Sequence, residues 1–178
     1  MAPPLELTSV PPWTVTPARP PADLTGRYWT VLGIGDDAAP IAAEWTDQIA
    51  AHDPQARPGV HLVDDAASAC RALDAALADA VVGWRLLLAG PAHDCLRVRA
   101  HALELGVGDD EITVASTEVA TREVFCAHCR SVTTARVAIA ATLPCTGCGR
   151  ELFVYYHVSR RLGTHLGFAS GADYRGTP

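Results

Sequence analysis

The stretch from Val124 to His157, VFCAHCRSVTTARVAIAATLPCTGCGRELFVYYH, contains four of the six cysteines of the chain. They form two C-x-x-C pairs, and fifteen residues separate Cys129 from Cys145. Each C-x-x-C turn points two sulfurs to one side, and a tetrahedral metal needs four such ligands. The spacing is therefore typical of a zinc ribbon, with Cys126, Cys129, Cys145 and Cys148 as the ligands. The residues around both pairs are rich in β-branched and aromatic types, which favour strands.

Other uses of these cysteines fit the spacing less well. A thioredoxin-like redox site needs one C-x-x-C at the start of a helix, whereas this chain has two pairs. Plant-type [2Fe–2S] ligation needs a C-x₄-C-x₂-C run, which is absent. A rubredoxin-like iron uses the same four thiolates as zinc and stays open as an alternative. A closed Cys₄ site has no free coordination position, so the metal is expected to be structural.

The remaining candidate residues favour packing over chemistry. Cys70 falls on an apolar helical stripe and is expected in the core. Cys95 follows His93 and Asp94, but three consecutive helical residues do not face one another, so a catalytic triad is not expected. His165 lies among apolar residues and is expected to be packed or hydrogen-bonded rather than a metal or haem ligand. No catalytic or cofactor-binding residue is therefore assigned.

Composition limits the possible functions. The chain has 178 residues, of which 49 % are hydrophobic, and a net charge of −6. All fourteen basic residues are arginine, so Schiff-base and P-loop lysines are excluded. The negative charge argues against nucleic acid as a partner. No apolar run is long enough for a membrane span and the N-terminus lacks the pattern of a signal peptide, so a cytoplasmic location is expected.

Apolar runs and amphipathic segments alternate between Tyr28 and Ser116, a pattern that indicates βαβ units and a small doubly wound, Rossmann-like parallel sheet. Strands are expected at 28–35, 59–65, 84–91 and 110–116, and helices at 39–53, 66–82 and 92–106. We expect three regions: a proline-rich extended arm (1–24), the α/β domain (25–120) and the Cys₄ domain with a C-terminal docking segment (121–178).

Two surfaces are candidate contacts with other proteins. The arm contains seven of the thirteen prolines and is expected to be extended, with Trp13 packing on its own domain or on a partner. Near the C-terminus, Tyr155, Tyr156, Arg160 and Arg161 combine two residue types that are enriched at interfaces. The alternative is that this segment is a solvated strand end that covers the ribbon.

The Rossmann-like sheet raises the question of a dinucleotide. Gly33 and Gly35 follow the first strand, but the third glycine of G-x-G-x-x-G is missing. Asp36 and Asp37 stand where a pyrophosphate would need bare N–H groups, and Asp64 adds negative charge at the same edge. We therefore expect that the sheet does not bind NAD(P)H with useful affinity.

Three segments resemble known families. VLGIGDDAAPI and LLLAGPAHDCLRVRAHALELGV are similar to the NAD-binding half of ferredoxin-reductase-type flavoenzymes. The tail, with two cysteine turns followed by YYHVSRRLGTHLGF, resembles the DmmA-like small subunit of dimethylamine monooxygenase. The second resemblance implies an NADPH-dependent, haem-containing monooxygenase that oxidatively demethylates a secondary amine. It also implies that partner subunits carry the haem, the flavin and the iron–sulfur centre, and that this chain is accessory.

The sequence thus supports two hypotheses. The first is a non-catalytic α/β subunit with a structural zinc ribbon, which scaffolds or regulates a multicomponent amine monooxygenase. The second is an electron-transfer or nucleotide-binding component with iron in the Cys₄ site. The colour of the isolated protein separates them, because a zinc protein is colourless and ferric iron with four thiolates is red.

Overall fold

The first sheet is parallel and follows the strand order β2-β1-β3-β4. It belongs to a computed structural model that describes residues 3–169 of the chain. The central strands β1 and β3 are almost wholly buried, as expected for apolar runs covered on both faces. The strands are β1 (Tyr28–Ile34), β2 (Gly59–Val63), β3 (Trp84–Gly90) and β4 (Ile112–Ser116).

Helices cover both faces of this sheet, which confirms the predicted doubly wound α/β class. The helix α1 buries Ile41, Trp45 and Ile49 against one face, and its i, i+4, i+8 spacing explains why these three share a side. The helices α2 and α3 pack together on the opposite face. The helices are α1 (Ala39–His52), α2 (Ala66–Ala78) and α3 (Ala92–Glu104).

One predicted helix is too long. The alanine-rich pattern predicted a helix over 66–82, but α2 ends at Ala78 and Asp79 is its C-cap. The following valines do not join the core, and Val82 is 98 % exposed. The apolar composition of this segment therefore misled the prediction, because alanine and valine residues do not by themselves distinguish a helix end from a helix interior.

The second sheet has five strands in the order β6-β5-β9-β8-β7. Each C-x-x-C pair follows one strand of an antiparallel hairpin: β5 with β6, and β7 with β8. The last strand, β9, lies between the two hairpins, parallel to β5 and antiparallel to β8. The strands are β5 (Thr121–Cys126), β6 (Val132–Arg136), β7 (Thr142–Pro144), β8 (Glu151–Ser159) and β9 (Thr164–Ala169).

The proline-rich segment is not simply extended. It contains two one-turn 3-10 helices, Leu5–Leu7 and Pro12–Thr14, because a proline that precedes or opens a helical turn lacks only an N–H that would be unpaired there. The segment packs on its own chain. Val10 is buried with Leu96 of α3 and Val158 of β8. The arm therefore contacts the second sheet as well as the first.

Further along, the arm binds to the first sheet. The Ala18 carbonyl accepts a hydrogen bond from the Ser116 N–H, 2.9 Å away, at the end of the edge strand β4. The Trp45 indole donates to the carbonyl of Pro20 at 3.0 Å. The predicted arm begins at Met1 and the predicted C-terminal region ends at Pro178, so their first two and last nine residues lie outside the described residues.

Two residues make close contacts between the second sheet and the rest of the chain. Arg122 of β5 is only 7 % exposed and donates hydrogen bonds to the carbonyls of Val137 and, at 3.2 Å, Thr14. Gly163, in the turn before β9, has φ +65° and lies against the backbone of α3, where a Cβ would be 2.5 Å from the Leu96 oxygen. Within residues 3–169, no helix is long and apolar enough to cross a membrane.

Candidate metal centre

The first cysteine pair lies in the tight turn between β5 and β6. The Cys126 N–H donates to the carbonyl of Ser131 at 2.8 Å, and the Arg130 N–H donates to the carbonyl of Cys126 at 2.9 Å. Arg130 has φ 66°, which lets the chain reverse immediately after Cys129. The turn therefore brings both thiols to the same side of the hairpin.

The second pair repeats this turn between β7 and β8. The Cys145 N–H donates to the carbonyl of Arg150 at 2.8 Å, and the Gly149 N–H donates to the Cys145 carbonyl at 2.9 Å. Gly149 has φ 72° and corresponds to Arg130 in the first turn. The two turns thus have the same hydrogen-bond pattern and the same left-handed residue one position after the second cysteine.

The four sulfurs converge on one point. The Sγ atoms of Cys126 and Cys148 are 3.9 Å apart, and those of Cys129 and Cys145 are 3.5 Å apart. All four ligand atoms lie within 4.8 Å of one another. Tetrahedral zinc with Zn–S bonds of about 2.3 Å separates its sulfurs by about 3.8 Å. The structure therefore brings the four predicted ligands together at the spacing that a metal ion requires.

Neighbouring polar groups also fit a cluster of thiolates. The Ser131 Oγ is 3.0 Å from the Cys129 sulfur and 3.2 Å from the Cys145 sulfur, and the Gly147 N–H donates to Cys145 at 3.4 Å. A Cβ at Gly147 would be 2.3 Å from the Ser131 Oγ, so only glycine fits there. These outer contacts orient and stabilise the ligands, as partners around metal sites usually do.

The thiols differ in acidity. The Ser131 hydroxyl lowers the pKa of Cys129 and, together with backbone N–H groups, lowers that of Cys145 to about 5. At Cys148 the backbone N–H of Arg150 favours the thiolate, but burial and the three neighbouring thiols outweigh it and raise the pKa to about 11. The neighbouring thiols thus disfavour the Cys148 thiolate, and a bound cation would stabilise it.

The left-handed residue of the first turn leads to a prediction. Arg130→Gly should raise the free energy of unfolding of the metal-bound protein by about 0.5 kcal/mol. Glycine removes the conformational strain of the positive φ, and this gain is larger than the loss from the greater entropy of the unfolded glycine variant. Thermal unfolding measures the effect. Arg130→Ala is the control, since it removes the side chain and retains the strained φ. A lower melting temperature for Arg130→Gly than for Arg130→Ala would contradict the prediction.

The proposed docking residues lie in three separate places. Tyr155 is exposed on β8, whereas Tyr156 is half-buried beside it, with ring centroids 6.2 Å apart. Arg160 and Arg161 lie in the β8–β9 turn and line a groove against α3. Trp13 is half-buried, and it packs against α3 and the core of the first sheet. Their roles as partner contacts stay predictions.

The other cysteines are not placed for catalysis. Cys95 is fully buried in the core between α3 and the first sheet, and burial raises the pKa of its thiol. Cys70 is half-buried and packs against the same core, where burial also raises its pKa. The His93 Nε2 and Asp94 Oδ2 atoms are 3.6 Å apart, so these two side chains face each other. His128 is exposed between the first two ligands.

Sequence reasoning missed a buried polar cluster where the two sheets meet. His165 of β9 is 1 % exposed, and neither of its ring nitrogens has a hydrogen-bond partner within residues 3–169. Burial, with the charge of Arg122, lowers its pKa to about 4. The folded pKa is below the unfolded value of 6.5, so this residue makes the fold less stable as the pH falls from about 6.5 towards 4. The adjoining cavity is too small for a water molecule.

The carboxyl edge of the first sheet has the residues that the sequence indicated. Gly35 has φ 75° and is followed by a one-turn 3-10 helix, Asp36–Ala38, that leads into α1. The carboxylates of Asp36 and Asp37 are exposed at this edge, where a dinucleotide would place its phosphates. The prediction that the sheet does not bind NAD(P)H is consistent with this placement and stays a prediction.

Comparison with known proteins defines the C-terminal region. Residues 123–168 match a family described as dimethylamine monooxygenase subunit DmmA-like, C-terminal domain. The match includes both cysteine turns and almost the whole second sheet. This part of the chain is therefore similar to the DmmA-like C-terminal domain.

A relative supports the same assignment. The heme-dependent oxidative N-demethylase delta subunit of Ectopseudomonas mendocina (strain ymp) is 42 % identical over 101 residues, which are 57 % of this chain and 57 % of the relative. The chain thus aligns with little more than half of that protein. The two matches confirm the resemblance to a DmmA-like small subunit. No solved structure matches the chain significantly, so the resemblance of the first sheet to ferredoxin reductases stays a prediction.

Proposed function

We propose that this protein is an accessory subunit of a multicomponent, haem-dependent and NADPH-driven monooxygenase that removes a methyl group oxidatively from a secondary amine such as dimethylamine. The proposal rests on the segment that matches the DmmA-like family. This segment contains a cluster of four cysteines and an exposed aromatic surface. Neither feature supplies chemistry to a substrate, and both suit a subunit that holds other subunits together.

The Cys₄ centre holds a structural zinc in this proposal. Cys126, Cys129, Cys145 and Cys148 would provide all four ligands, so the metal stabilises the two turns and leaves no position for a substrate. The Ser131 hydroxyl and the Gly147 N–H would keep the thiolates of Cys129 and Cys145 charged. Iron in the same ligands is the alternative, and it would make the chain an electron-transfer component.

Catalysis belongs to the partner subunits, which carry the haem, the flavin and the iron–sulfur centre. Among the described residues outside the metal centre, both cysteines are held in the protonated form by burial. The buried His165 is enclosed by Arg122 and Thr14 and is inaccessible to a substrate. The isolated chain is therefore expected to lack amine oxidation activity.

The surface that we assign to partner docking lies on one face of the second sheet. On β5, residues 122, 124 and 126 point inward and are buried, whereas Phe125 points outward. The pairings of Phe125 with Val132 and Leu166, and of Phe153 with Phe168, continue this apolar face across four strands. We call it the outer aromatic face; it consists of Phe125, Val132, Phe153, Tyr155, Leu166 and Phe168.

The outer aromatic face has the composition of an interface. It contains all three phenylalanines of the chain, and none of them packs in the core of either sheet. Tyr155 is 48 % exposed and Phe168 is 44 % exposed, and their rings meet edge to face at 5.5 Å. A contiguous exposed patch of this kind marks a protein contact, and aromatic residues supply most of the energy of such contacts.

A double substitution tests the docking surface. Tyr155→Glu with Phe168→Glu should reduce copurification with the haem-bearing subunit at least about tenfold, since it places two charges in an apolar contact. Metal content and thermal stability should remain near those of the wild type because both side chains are exposed. Val82→Glu is the matched control, since Val82 is exposed between α2 and β3, away from the second sheet, and it should leave assembly unchanged.

The second candidate contact is tested in parallel. Arg160→Glu with Arg161→Glu changes the groove against α3 and leaves the outer aromatic face intact. If only the arginine variant impairs assembly, the outer aromatic face is not the docking surface. If the purified wild-type chain alone oxidises dimethylamine with NADPH, the accessory function itself is wrong.

A further inference from the structure

The first sheet has one open edge. The strand β2 pairs with β1 on one side only, and on its other side it has no partner strand within residues 3–169. At the opposite edge, the last residue of β4, Ser116, is hydrogen-bonded to Ala18 of the arm. The edge of β2 has no strand or arm residue bonded to it in the described part of the chain.

The backbone of β2 presents two residues to this open edge. The Val63 carbonyl accepts a hydrogen bond from the Gly35 N–H at 2.9 Å, so Val63 points its backbone groups towards β1. Successive residues of a strand point their backbone groups to opposite edges. Val60 and Leu62 therefore direct their N–H and C=O groups away from the sheet, into open space.

The same two residues expose apolar side chains. Val60 is 44 % exposed and Leu62 is 57 % exposed. Both lie on the same face of the sheet as Val31 of β1, which α1 helps to bury, but on β2 they stay exposed. The strand has no charged residue, proline or bulge, which are the features that usually protect an edge strand from pairing.

The edge is complementary to itself in one antiparallel register. In this register His61 lies opposite His61 of the second copy. Val60 of each copy then lies opposite Leu62 of the other copy, and each of these pairs is a hydrogen-bonded pair. Two such pairs form four backbone hydrogen bonds. The alternative register centred on Val60 places Pro58 opposite Leu62, and proline has no N–H to donate.

Charges agree with this register. Arg57 lies opposite Asp65 of the second copy, at both ends of the paired strands. Both residues are exposed, and Asp65 has an extended backbone that continues the strand direction. On the other face, Val60 and Leu62 of both copies form a four-residue apolar cluster.

We propose that the chain forms a symmetric dimer through antiparallel pairing of β2 with β2 of a second copy, which makes one continuous eight-stranded sheet. The inference does not depend on the proposed function, because it concerns a different surface from the outer aromatic face. One short strand pair buries less area than a permanent dimer usually does. The expected dissociation constant is therefore in the micromolar range, on the order of 10 μM.

Sedimentation equilibrium of the full metal-bound chain tests the dimer. Above roughly 100 μM the wild-type mass should approach twice 18.8 kDa, and at low micromolar concentration it should approach 18.8 kDa. Val60→Pro should weaken association at least about tenfold, since it removes an outward N–H without removing a bond to β1. Val82→Lys is the control, because it changes an equally apolar exposed residue elsewhere and should retain the dimer.

A second measurement is valid even if Val60→Pro does not fold. In hydrogen exchange of the wild type, the amides of Val60 and Leu62 should become more protected as the protein concentration rises. A wild-type mass of 18.8 kDa at all concentrations overturns the proposal. A dimer that survives in Val60→Pro and dissociates in Phe168→Glu also overturns it, because association would then use the outer aromatic face.

Discussion

Cys145→Ser is expected to release the metal and unfold the second sheet. Cys145 is buried at the centre of the cluster, 3.5 Å from Cys129, and metal binding contributes on the order of 10 kcal/mol to folding in modules of this type. Elemental analysis should find about one zinc per wild-type chain and none in the variant. Cys70→Ser is the matched control, because Cys70 lies outside the cluster and should leave metal binding intact.

The same experiment tests how far the two sheets are independent. The first sheet has its own core and should retain its helical circular dichroism in Cys145→Ser. The first part of the arm should detach, since Val10 packs against β8 and Thr14 binds Arg122 of β5. The part from Ala18 onward should stay on the first sheet, where Ala18 binds Ser116. Full metal occupancy in Cys145→Ser would refute the predicted ligand set. A colourless protein supports zinc, and a red one supports the iron alternative.

Gly163→Ala is expected to lower the stability of the whole chain by about 3 kcal/mol. A Cβ at this position would be 2.5 Å from the Leu96 oxygen and 2.8 Å from the Arg97 Cα, so α3 or the β8–β9 turn must move. Overpacking costs about 1–3 kcal/mol, and the φ of +65° adds about 1 kcal/mol for any residue with a Cβ. The melting temperature should fall by roughly 10 °C in a chain of this size.

Gly106→Ala separates the two contributions. Gly106 also has a positive φ, +93°, but a Cβ there would meet no atom within 4 Å. Its replacement should cost only about 1 kcal/mol, which corresponds to a few degrees. If both variants lose the same stability, then the contact of Gly163 with α3 does not hold the two sheets together.

Local sequence signals predicted much of the fold. The strands β1 and β3 were recognisable because buried parallel strands consist of unbroken apolar residues. The convergence of the four candidate ligands followed from spacing alone, because a C-x-x-C turn fixes the direction of its two sulfurs within six residues. Features of this kind are encoded in short segments, and single-sequence reasoning identifies them.

Long-range packing could not be predicted in the same way. Nothing in the sequence of β9 indicates that it inserts between β5 and β8, and so places His165 inside the protein. The arm was expected to be extended because proline limits local conformation, but its position depends on Val158 and Ser116, which are distant in sequence. The uncovered edge of β2 was equally hidden, since a short apolar strand has the same pattern at an edge as in the centre.

The position of the arm also bears on the order of events during synthesis. The Ser9 hydroxyl binds the backbone of Val158, and 149 residues separate the two positions. At about 5–20 residues per second, the ribosome needs roughly 7–30 s to make the intervening chain. During this time the first sheet can fold around its own core, but the arm has no β8 on which to rest. Ser9 and Val10 cannot complete their contacts with Val158 until the second sheet has been made, so seating of this first part of the arm is expected to be the last step of folding.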